Sequence, residues 1–499
     1  MRQNKEGYRS AFKATGLLGG VQLITVLISV LQSKVIAVLI GPSGYGLMSL
    51  FNTTVSLVCS ATNMGLAGSA VRDVAKAYGE NDRERLTQIT IAIRRCVYLT
   101  GILGALVTIL LSPYLSLWTF KSKEYTWSFV LLSIIVFFSA ISGGNNAVVQ
   151  GCRKLVYLSK SKIGSVLLGL LLTIIIFYFW REKGIIAYLI SIAFFSLAFS
   201  FYFFAKIRKS GVFLDVDQSF KQSLYEGRGA VKLGIMLSLS SLSSIFAEYI
   251  LKSYISRYGG LLDVGFYQAG WAINTAYLGM VFSAMGTDYY PRLASVSANN
   301  KNVTECVNQQ SEMALLILGP LIIAMIIFIH PLIVTFYSDK FSSIVTMTQW
   351  LLIGSLIKAG SWAVSYIYLA KGDGKTYLIN EVGIQFIILP FYLVAFTYGG
   401  LNAMGYAFVL NYVIYFVWVS LVARHKYGFK SSSSFWKILG IMLIITITCI
   451  SVDNLSSRLC TLFIQSILLI FLLLYAYYEL NKRVDLKDIS HKILKRMKK

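Results

Sequence analysis

Fourteen long apolar stretches, separated by short polar connectors, occupy almost the whole chain. A membrane helix needs about 20 mostly apolar residues, and these stretches are typically that long or longer. The pattern therefore predicts an all-α polytopic membrane protein with about 14 transmembrane helices. The predicted spans are 11–40, 44–71, 88–112, 126–150, 160–180, 184–206, 230–256, 263–290, 305–334, 344–370, 376–398, 401–423, 434–452 and 459–480.

Positive charge is distributed very unevenly between the connectors. Charged residues make up 14% of the chain, against roughly 25% in soluble domains, and the formal net charge is +24. With the N-terminus in the cytoplasm, the inner segments include the inner ends of the spans and comprise 1–13, 71–95, 151–162, 206–232, 291–303, 371–375, 424–437 and 481–499. They hold 36 of the 46 Lys and Arg, the outer connectors hold seven, and three lie deeper within the spans. The positive-inside rule thus predicts that both termini of this multi-pass protein lie in the cytoplasm. We therefore interpret the positive charge as setting the topology and contacting anionic lipid, and not as binding nucleic acid.

The chain shows no pattern of a metal, disulfide or nucleotide site. The three His do not cluster, the six cysteines have no CxxC spacing, and no Walker-type loop is present. We therefore expect no metal and no cofactor, with H⁺ or Na⁺ as candidate coupling ions. The first apolar run continues to Ile40, which favours a retained helix over a cleaved signal peptide. The cysteines, interpreted as packing residues, are Cys59, Cys96, Cys152, Cys306, Cys449 and Cys460.

Spans 1–6 and 7–12 resemble two copies of one unit. Gly46 and Gly265 occupy matching connectors, and Lys34 and Lys252 occupy matching positions in the first helix of each copy. Six is an even number of crossings, so both copies share one orientation and leave a crevice between them. We predict an N-lobe at 1–210, a C-lobe at 229–427, two additional helices at 433–480 and a basic cytoplasmic tail at 481–499. The tail is either an amphipathic helix on the inner leaflet or disordered.

Three lysines lie inside predicted spans, where a charge costs about 2.5–3.5 kcal/mol. Lys34 is about two turns from the outer surface, so it either snorkels to the headgroups or faces the crevice. Lys252 follows Glu248 by four residues, which allows either a simple ion pair or a carboxylate that binds an ion and releases the lysine. Lys358, near the middle of span 10, is the strongest candidate for a substrate-binding cation, although a neutral buried lysine is the alternative.

Further polar residues near the spans complete the candidate site. We assign Arg72 and Asn52 to substrate binding, with topology and interhelical hydrogen bonding as their alternatives. Asp288 and Glu381 join Glu248 as speculative ion-coupling groups. A surface pair with Arg292 is the competing explanation for Asp288. Glu381 could instead cap its helix or pair with one of two neighbouring lysines, Lys371 and Lys375.

Three segments resemble Wzx-type O-antigen and enterobacterial-common-antigen translocases, a polysaccharide transporter branch of the multidrug/oligosaccharidyl-lipid/polysaccharide exporter superfamily. The segments are FYSDKFSSIVTMTQWLLIGSLIKAGSWAVSYIYLAKGDGKTYLINEVGIQF at 336–386, LQSKVIAVLIGPSGYGL at 31–47 and DVGFYQ at 263–268. The resemblance covers spans 1–12 and implies that the family's motif lysines fall on Lys34, Lys358 and Lys371, and its acidic residue on Glu381. Spans 13 and 14 are additional to the twelve that many members have.

The resemblance implies a flippase, not an enzyme, for undecaprenyl-pyrophosphate-linked oligosaccharide, a substrate in lipopolysaccharide biosynthesis. A charged headgroup cannot cross hydrocarbon unaided, and a cationic crevice can replace its hydration. A polysaccharide polymerase and a chain-length regulator are the expected partners besides the bilayer and the lipid-linked substrate. Two alternatives stay open: a cation-coupled small-molecule exporter of similar two-lobe design, and a membrane polymerase or ligase acting on lipid-linked glycan. A cationic drug would favour carboxylates in the crevice, and a polymerase or ligase would favour a large outer loop. A structural scaffold leaves the intramembrane lysines unexplained.

Overall fold

The computed structural model describes residues 2–63, 65–214, 220–452 and 458–484, which form fifteen α-helices and no strand. Most of the predicted basic tail, 485–499, lies outside the described residues. The helices are α1 Arg2–Asn63, α2 Leu66–Gly79, α3 Arg83–Phe120, α4 Thr126–Gly151, α5 Leu155–Trp180, α6 Ile185–Lys209, α7 Phe220–Tyr258, α8 Gly260–Ile273, α9 Gly279–Ser295, α10 Asn300–Ile327, α11 Ile329–Phe336, α12 Val345–Ala370, α13 Gly374–Tyr427, α14 Ser433–Val452 and α15 Arg458–Val484.

Two of the longest helices each contain a sharp internal turn at a glycine. Gly41 in α1 has φ 66° and ψ −173°, and the residue after it is Pro42. Gly400 in α13 has φ 58° and ψ −149°. Backbone of positive φ is readily available to glycine because it has no Cβ atom. Both turns fall at predicted connectors, between spans 1 and 2 and between spans 11 and 12.

Within the described residues, nine helical segments are long and apolar enough to cross a membrane. Three of them contain 44, 55 and 54 residues, at 20–63, 155–209 and 374–427. Each is about twice the length of one crossing and turns near its middle, so it corresponds to two predicted spans. The nine segments thereby account for twelve of the fourteen spans. The other two coincide with α7 and with the pair α8 and α9, which are joined by a π-helical turn at Asn274–Leu278. The protein is a multi-pass membrane protein of entirely helical fold.

One predicted span extends beyond the end of the observed helix. We expected span 2 to run to residue 71, but the helix stops at Asn63, and Gly65 adopts a left-handed conformation with φ 66°. The following residues form the separate short helix α2, which buries one apolar face against α3 and α4. Leu66, Ala70 and Val74 lie on that face and are at most 2% exposed. Hydropathy cannot distinguish such a face from a lipid-facing one.

The described chain divides into two compact units. The first comprises 1–265 with 336–340, and the second comprises 266–335 with 341–499. The core of the first unit joins α2, α3, α4 and α6 around Val74, Leu86 and Val148. In the second unit the segment 339–370, which contains α12, is the most buried of the nine membrane-crossing segments, since 78% of its most apolar stretch is buried. Helix α7, at the start of the predicted C-lobe, belongs to the first unit by its contacts. The bounds that we gave for the two lobes stay a prediction.

Candidate functional site

The two glycines that the internal repeat makes equivalent lie against each other in the first unit. A Cβ atom on Gly265 would approach the Pro42 carbonyl oxygen to 1.9 Å, and one on Gly46 would approach the Leu261 carbonyl oxygen to 2.2 Å. Both approaches are far shorter than van der Waals contact, so each backbone position requires glycine. The contact fixes the start of the second half of α1 against α8.

Lys252 is the most deeply buried charged group of the predicted site. It lies on α7 and is only 2% exposed. Its Nζ donates a hydrogen bond of 2.8 Å to Thr53 Oγ1 on α1 and forms an ion pair of 2.6 Å with Glu248 Oε1. A buried charge needs such partners because desolvation is costly. The spacing of four residues correctly predicted the ion pair; whether Glu248 also binds a coupling ion remains a proposal.

Polar faces run along both helices that meet at Lys252. On α1, Asn52 and Ser56 are exposed at a helical spacing of four residues, on a side of the helix other than the one that carries Thr53. On α7, Ser241 and Ser244 are exposed two turns and one turn before the half-buried Glu248. Polar side chains are disfavoured on helix surfaces that face lipid, so faces of this kind are expected to meet water or protein. Lys34, on the first half of α1, is half-buried.

Lys358 lies between aromatic rings in the second unit. Its Nζ is 5.4 Å from the ring centre of Phe282 on α9 and 5.5 Å from that of Tyr412 on α13. Cation–π attraction operates at these distances and strengthens when the cation is desolvated. No carboxylate in the described chain lies within ion-pair distance of this ammonium, although Glu381 acts on it electrostatically. Among the described residues, the amino group of Lys358 therefore has aromatic neighbours and no ion-pair partner.

Glu381 does not form the contacts expected from its position after the inner connector. Its Oε1 accepts a hydrogen bond from Tyr415 Oη, and it pairs with neither Lys371 nor Lys375. Lys371 donates to Asn300 Oδ1 at 2.5 Å. The helix start that Glu381 could have capped is capped by Asp373, which accepts from the Thr376 backbone N–H at 3.1 Å and Oγ1 at 2.7 Å. Asp373, and not Glu381, caps the helix because it immediately precedes the first helical residue.

Two further candidates lie apart from these groups. Asp288 is exposed and does not pair with Arg292, whose Nη2 instead donates to Gln310 Oε1 on α10 at 2.7 Å. The expected surface pair was therefore wrong, since a partner on a neighbouring helix is better placed. Arg72 is exposed on α2 and pairs with its neighbour Asp73 at 2.8 Å.

Sequence reasoning missed an ionic network at one end of the second unit. Arg483 on α15 pairs with Glu312 on α10 at 3.0 Å, and also with Glu479 on its own helix. Its Nη2 donates to Ser434 Oγ on α14 at 2.7 Å, and Glu312 accepts from Ser432 Oγ at 2.6 Å. The network joins α14 and α15, the two additional helices, to the predicted core. Two features of the sequence could have indicated this network, namely an Arg at the end of the last apolar run and a Glu inside span 9.

The structure thus forms two local clusters from the predicted residues. Lys252 and Glu248 meet Thr53 in the first unit, and Lys358 lies near Glu381 in the second. Thr53, Phe282, Tyr412 and Tyr415 were not predicted because a hydroxyl or ring gives no signal until tertiary contacts are known. In the π-helical turn before α9, Asn274 Oδ1 likewise accepts a hydrogen bond of 2.9 Å from Ser355 Oγ on α12. In the described residues no group of three His, Cys, Asp or Glu could hold a metal.

The chain is similar to several known transporters. It is 22% identical over 415 residues to the lipid III flippase of Escherichia coli strain K12, a match that covers 82% of this chain and 96% of the relative. The lipid III flippase of Shigella flexneri matches equally well. A structure of the lipid II flippase MurJ in an inward closed conformation superposes with a TM-score of 0.69 at 14% identity, covering 94% of this chain and 99% of that one.

A second structural class shares the fold. An inward-facing multidrug resistance MATE transporter of the MOP superfamily superposes with a TM-score of 0.63 at 15% identity, covering 82% of this chain and 98% of the other. At these identities the superpositions establish the fold alone, which this chain shares with the lipid II flippase and the MATE transporter. A model of one family, described as polysaccharide biosynthesis protein, matches residues 11–297, more than half of the chain. The chain therefore belongs to the polysaccharide biosynthesis protein family.

Proposed function

We propose that the protein is a flippase that moves undecaprenyl-pyrophosphate-linked oligosaccharide from the cytoplasmic to the periplasmic leaflet by alternating access. The observation that carries this proposal is Lys358, near the middle of a membrane helix, whose amino group lies close to two aromatic rings and contacts no carboxylate among the described residues. A cation held in this way is suited to attract a diphosphate that must leave water. The polyprenyl tail stays in lipid while only the headgroup enters the protein.

The relatives support the same class of activity. The similar curated proteins are named lipid III flippases, and the similar solved structures are a lipid II flippase and MATE transporters. All of them are flippases or transporters rather than enzymes. The O-antigen type of oligosaccharide is the further step that we propose from the sequence resemblance. A bacterial inner-membrane location, cytoplasmic termini, and a polymerase and chain-length regulator as partners belong to this proposal.

The substrate-binding residues in this proposal are Lys34, Lys252, Lys358, Arg72 and Asn52. Glu248, Asp288 and Glu381 are the proposed ion-coupling residues. The contact of Glu248 with Lys252 supports a coupling role, because protonation of the carboxylate would release the ammonium toward an anionic substrate. Ligand binding shifts an equilibrium between two states only when affinity for those states differs, and a released ammonium supplies such a difference.

The Lys358→Ala substitution tests the proposal. We expect a loss of at least about tenfold in flipping, because removing a buried hydrogen-bonding cation opposite an anionic ligand costs a few kcal/mol. In proteoliposomes, lipid-linked oligosaccharide would be made accessible to an added probe by the wild type and not by the variant. In cells at equal protein level, surface polysaccharide would be lost.

Lys437→Ala is the matched control because Lys437 is an exposed lysine at the start of α14. It removes the same charge and should flip normally. Full flipping by Lys358→Ala would remove Lys358 from the site. Export of cationic drugs by the wild type, without any exposure of lipid-linked oligosaccharide, would instead support the small-molecule exporter.

A further inference from the structure

Four aromatic side chains form a cluster where α9 packs against α12 in the second unit. This aromatic cluster consists of Tyr289, Tyr290, Trp362 and Tyr366. Tyr289 is its buried centre, and the ring centres of Trp362 and Tyr366 lie 5.6 and 5.5 Å from that of Tyr289. The Tyr289 hydroxyl donates a hydrogen bond of 2.7 Å to the Ala363 carbonyl oxygen, which ties α9 to the backbone of α12. Packing and this bond therefore hold the cluster in place from its buried side.

The other side of the cluster is partly exposed. Tyr290 is 43% exposed, and Trp362 and Tyr366 are half-buried. The ring centre of Tyr290 lies 6.0 Å from that of Tyr366, so the two rings form one continuous patch. A glycine makes room for it, because a Cβ atom on Gly286 would lie 3.1 Å from Tyr366 Oη and 3.5 Å from Trp362 Cζ2. The rings of α12 can thus lie directly over the backbone of α9.

Hydroxyl groups border the exposed rings. Ser283, Thr287 and Tyr290 are all exposed, and their spacing of four and three residues puts them on one face of α9. A helix surface that carries hydroxyl groups is poorly suited to contact with acyl chains, so we expect this face to meet water or a polar ligand. Tyr290 belongs both to this face and to the aromatic cluster. The rings and the hydroxyl groups are therefore presented together.

The aromatic cluster is continuous with Lys358. Lys358, Trp362 and Tyr366 follow one another at a spacing of four residues on one face of α12. The helical rise puts Trp362 and Tyr366 about 6 and 12 Å from Lys358 along the helix axis. Phe282 on α9 joins the two parts, since its ring centre is 5.4 Å from Lys358 Nζ and 5.3 Å from the ring centre of Trp362. The cluster thus begins one turn from the amino group to which the proposed function assigns the diphosphate.

A sugar ring is chemically suited to this surface. The axial C–H bonds of a pyranose form an apolar face that packs on an aromatic ring, while the hydroxyl groups at its rim need hydrogen-bond partners. The first sugar of a lipid-linked oligosaccharide is bonded directly to the diphosphate, so it must lie close to wherever the diphosphate is held. A polyprenyl chain would use the rings but would leave the hydroxyl groups of Ser283 and Thr287 without a partner in the ligand.

We propose that Tyr290 and Tyr366 bind the first sugar of the lipid-linked oligosaccharide by stacking on its apolar face. Ser283 and Thr287 form hydrogen bonds to the hydroxyl groups at the rim of this sugar. The other two rings of the aromatic cluster support the stacking surface. The inference rests on the proposed function, since it places the sugar beside the diphosphate that Lys358 would hold. It adds a binding site for sugar to a site argued from charge.

The test measures the affinity of the purified full-length protein for two lipids by native mass spectrometry. One lipid is undecaprenyl pyrophosphate that carries a single N-acetylglucosamine, and the other is undecaprenyl pyrophosphate without a sugar. We expect Tyr366→Leu to weaken binding of the sugar-bearing lipid about three- to tenfold, because it removes an aromatic contact. Binding of the sugar-free lipid should be unchanged. Tyr366→Phe keeps the ring and should bind both lipids as the wild type does.

Two further variants keep the test informative. Tyr290→Leu is a change at an exposed side chain, so it should give the same sugar-selective loss even if Tyr366→Leu fails to fold. Tyr398→Leu is the matched control, because Tyr398 is an exposed tyrosine on α13 outside the aromatic cluster. It should bind both lipids normally. A loss in this control equal to that in Tyr290→Leu would overturn the sugar site.

Lys358→Ala separates this inference from the proposed function, since it should weaken binding of both lipids. Equal losses for the two lipids in the Tyr290 and Tyr366 variants, or no loss for the sugar-bearing lipid, would overturn the sugar site and leave the role of Lys358 standing. Unchanged binding of both lipids by Lys358→Ala, together with a sugar-selective loss in the tyrosine variants, would remove the diphosphate from Lys358 and support the sugar site.

Discussion

At the scale of single residues, Asp373 shows how one side chain organises a connector. It caps α13 and also accepts hydrogen bonds from Lys426 Nζ at 2.9 Å and Tyr427 Oη at 2.7 Å, both at the end of the same helix. Burial raises the pKa of Asp373, but the bonds from Lys426, Tyr427 and Thr376 outweigh it and hold that pKa well below the usual range. The charged carboxylate therefore ties the start of span 11 to the end of span 12.

Replacing Asp373 by Asn should lower the thermal unfolding midpoint at neutral pH by a few degrees. The reason is that a hydrogen bond to a charged group contributes about 1.5–3 kcal/mol to the free energy of unfolding. A carboxylate whose folded-state pKa is depressed contributes stability above its unfolded pKa of about 3.9. That contribution is lost as the pH falls through the folded pKa. The gap between wild type and variant should narrow below about pH 4.

Unfolding curves of the purified protein at a series of pH values would measure this gap. Asp339→Asn is the control, since Asp339 is exposed and outside this network. A gap that stays constant through the acidic range would contradict the assigned role of the Asp373 charge.

At the scale of helices and connectors, the backbone contact between Gly46 and Gly265 leaves no room for a side chain at either position. Replacing Gly265 by Ala places a Cβ atom 1.9 Å from the Pro42 carbonyl oxygen, so the backbones must separate. Overpacking of this kind costs about 1–3 kcal/mol or more. We expect a lower unfolding midpoint and a lower yield of folded protein, measured by size-exclusion chromatography and thermal unfolding.

Gly143→Ala is the matched control for this prediction. Gly143 lies within α4, where a Cβ atom would meet nothing within 4 Å. Alanine should be neutral or mildly stabilising there because it is the better helix former. Unchanged stability in Gly265→Ala would show that the connector accommodates a side chain and that the close approach is not needed.

The positions of the helices could be predicted from the sequence because hydropathy reports directly on crossing a bilayer. The turns at Gly41 and Gly400 also coincide with predicted connectors. The first residues of α2, 66–71, were assigned to span 2 because residues such as Leu66 are apolar, yet Leu66 is buried against protein. For the site, the spacing of Glu248 and Lys252 was sufficient to predict their pairing, since it depends on one helical turn. The Thr53 contact, 199 residues away along the chain, depends on how helices pack and leaves no local signal.

At the scale of the whole molecule, the charge distribution predicts one orientation in the membrane. A cysteine introduced at Lys209, the last residue of α6, should be protected from a membrane-impermeant maleimide in intact cells. A cysteine at Lys123, between α3 and α4, should react. Both positions are exposed, so side-chain access does not account for the expected difference.

The labelling requires a background in which Cys460, the exposed native cysteine, is replaced. Lysis of the cells should make the Lys209→Cys variant reactive, which controls for burial. Reaction at position 209 in intact cells, with protection at 123, would reverse the orientation and with it the proposed direction of transport.

The pairing of Arg483 with Glu312 bears on how firmly the last helix is held to the rest of the second unit. Without α15 the buried carboxylate of Glu312 on α10 would keep its bond from the Ser432 hydroxyl but lose its counter-ion. Truncation before α15 is therefore expected to weaken the packing of α10 itself, so the end of the chain cannot be treated as a detachable extension.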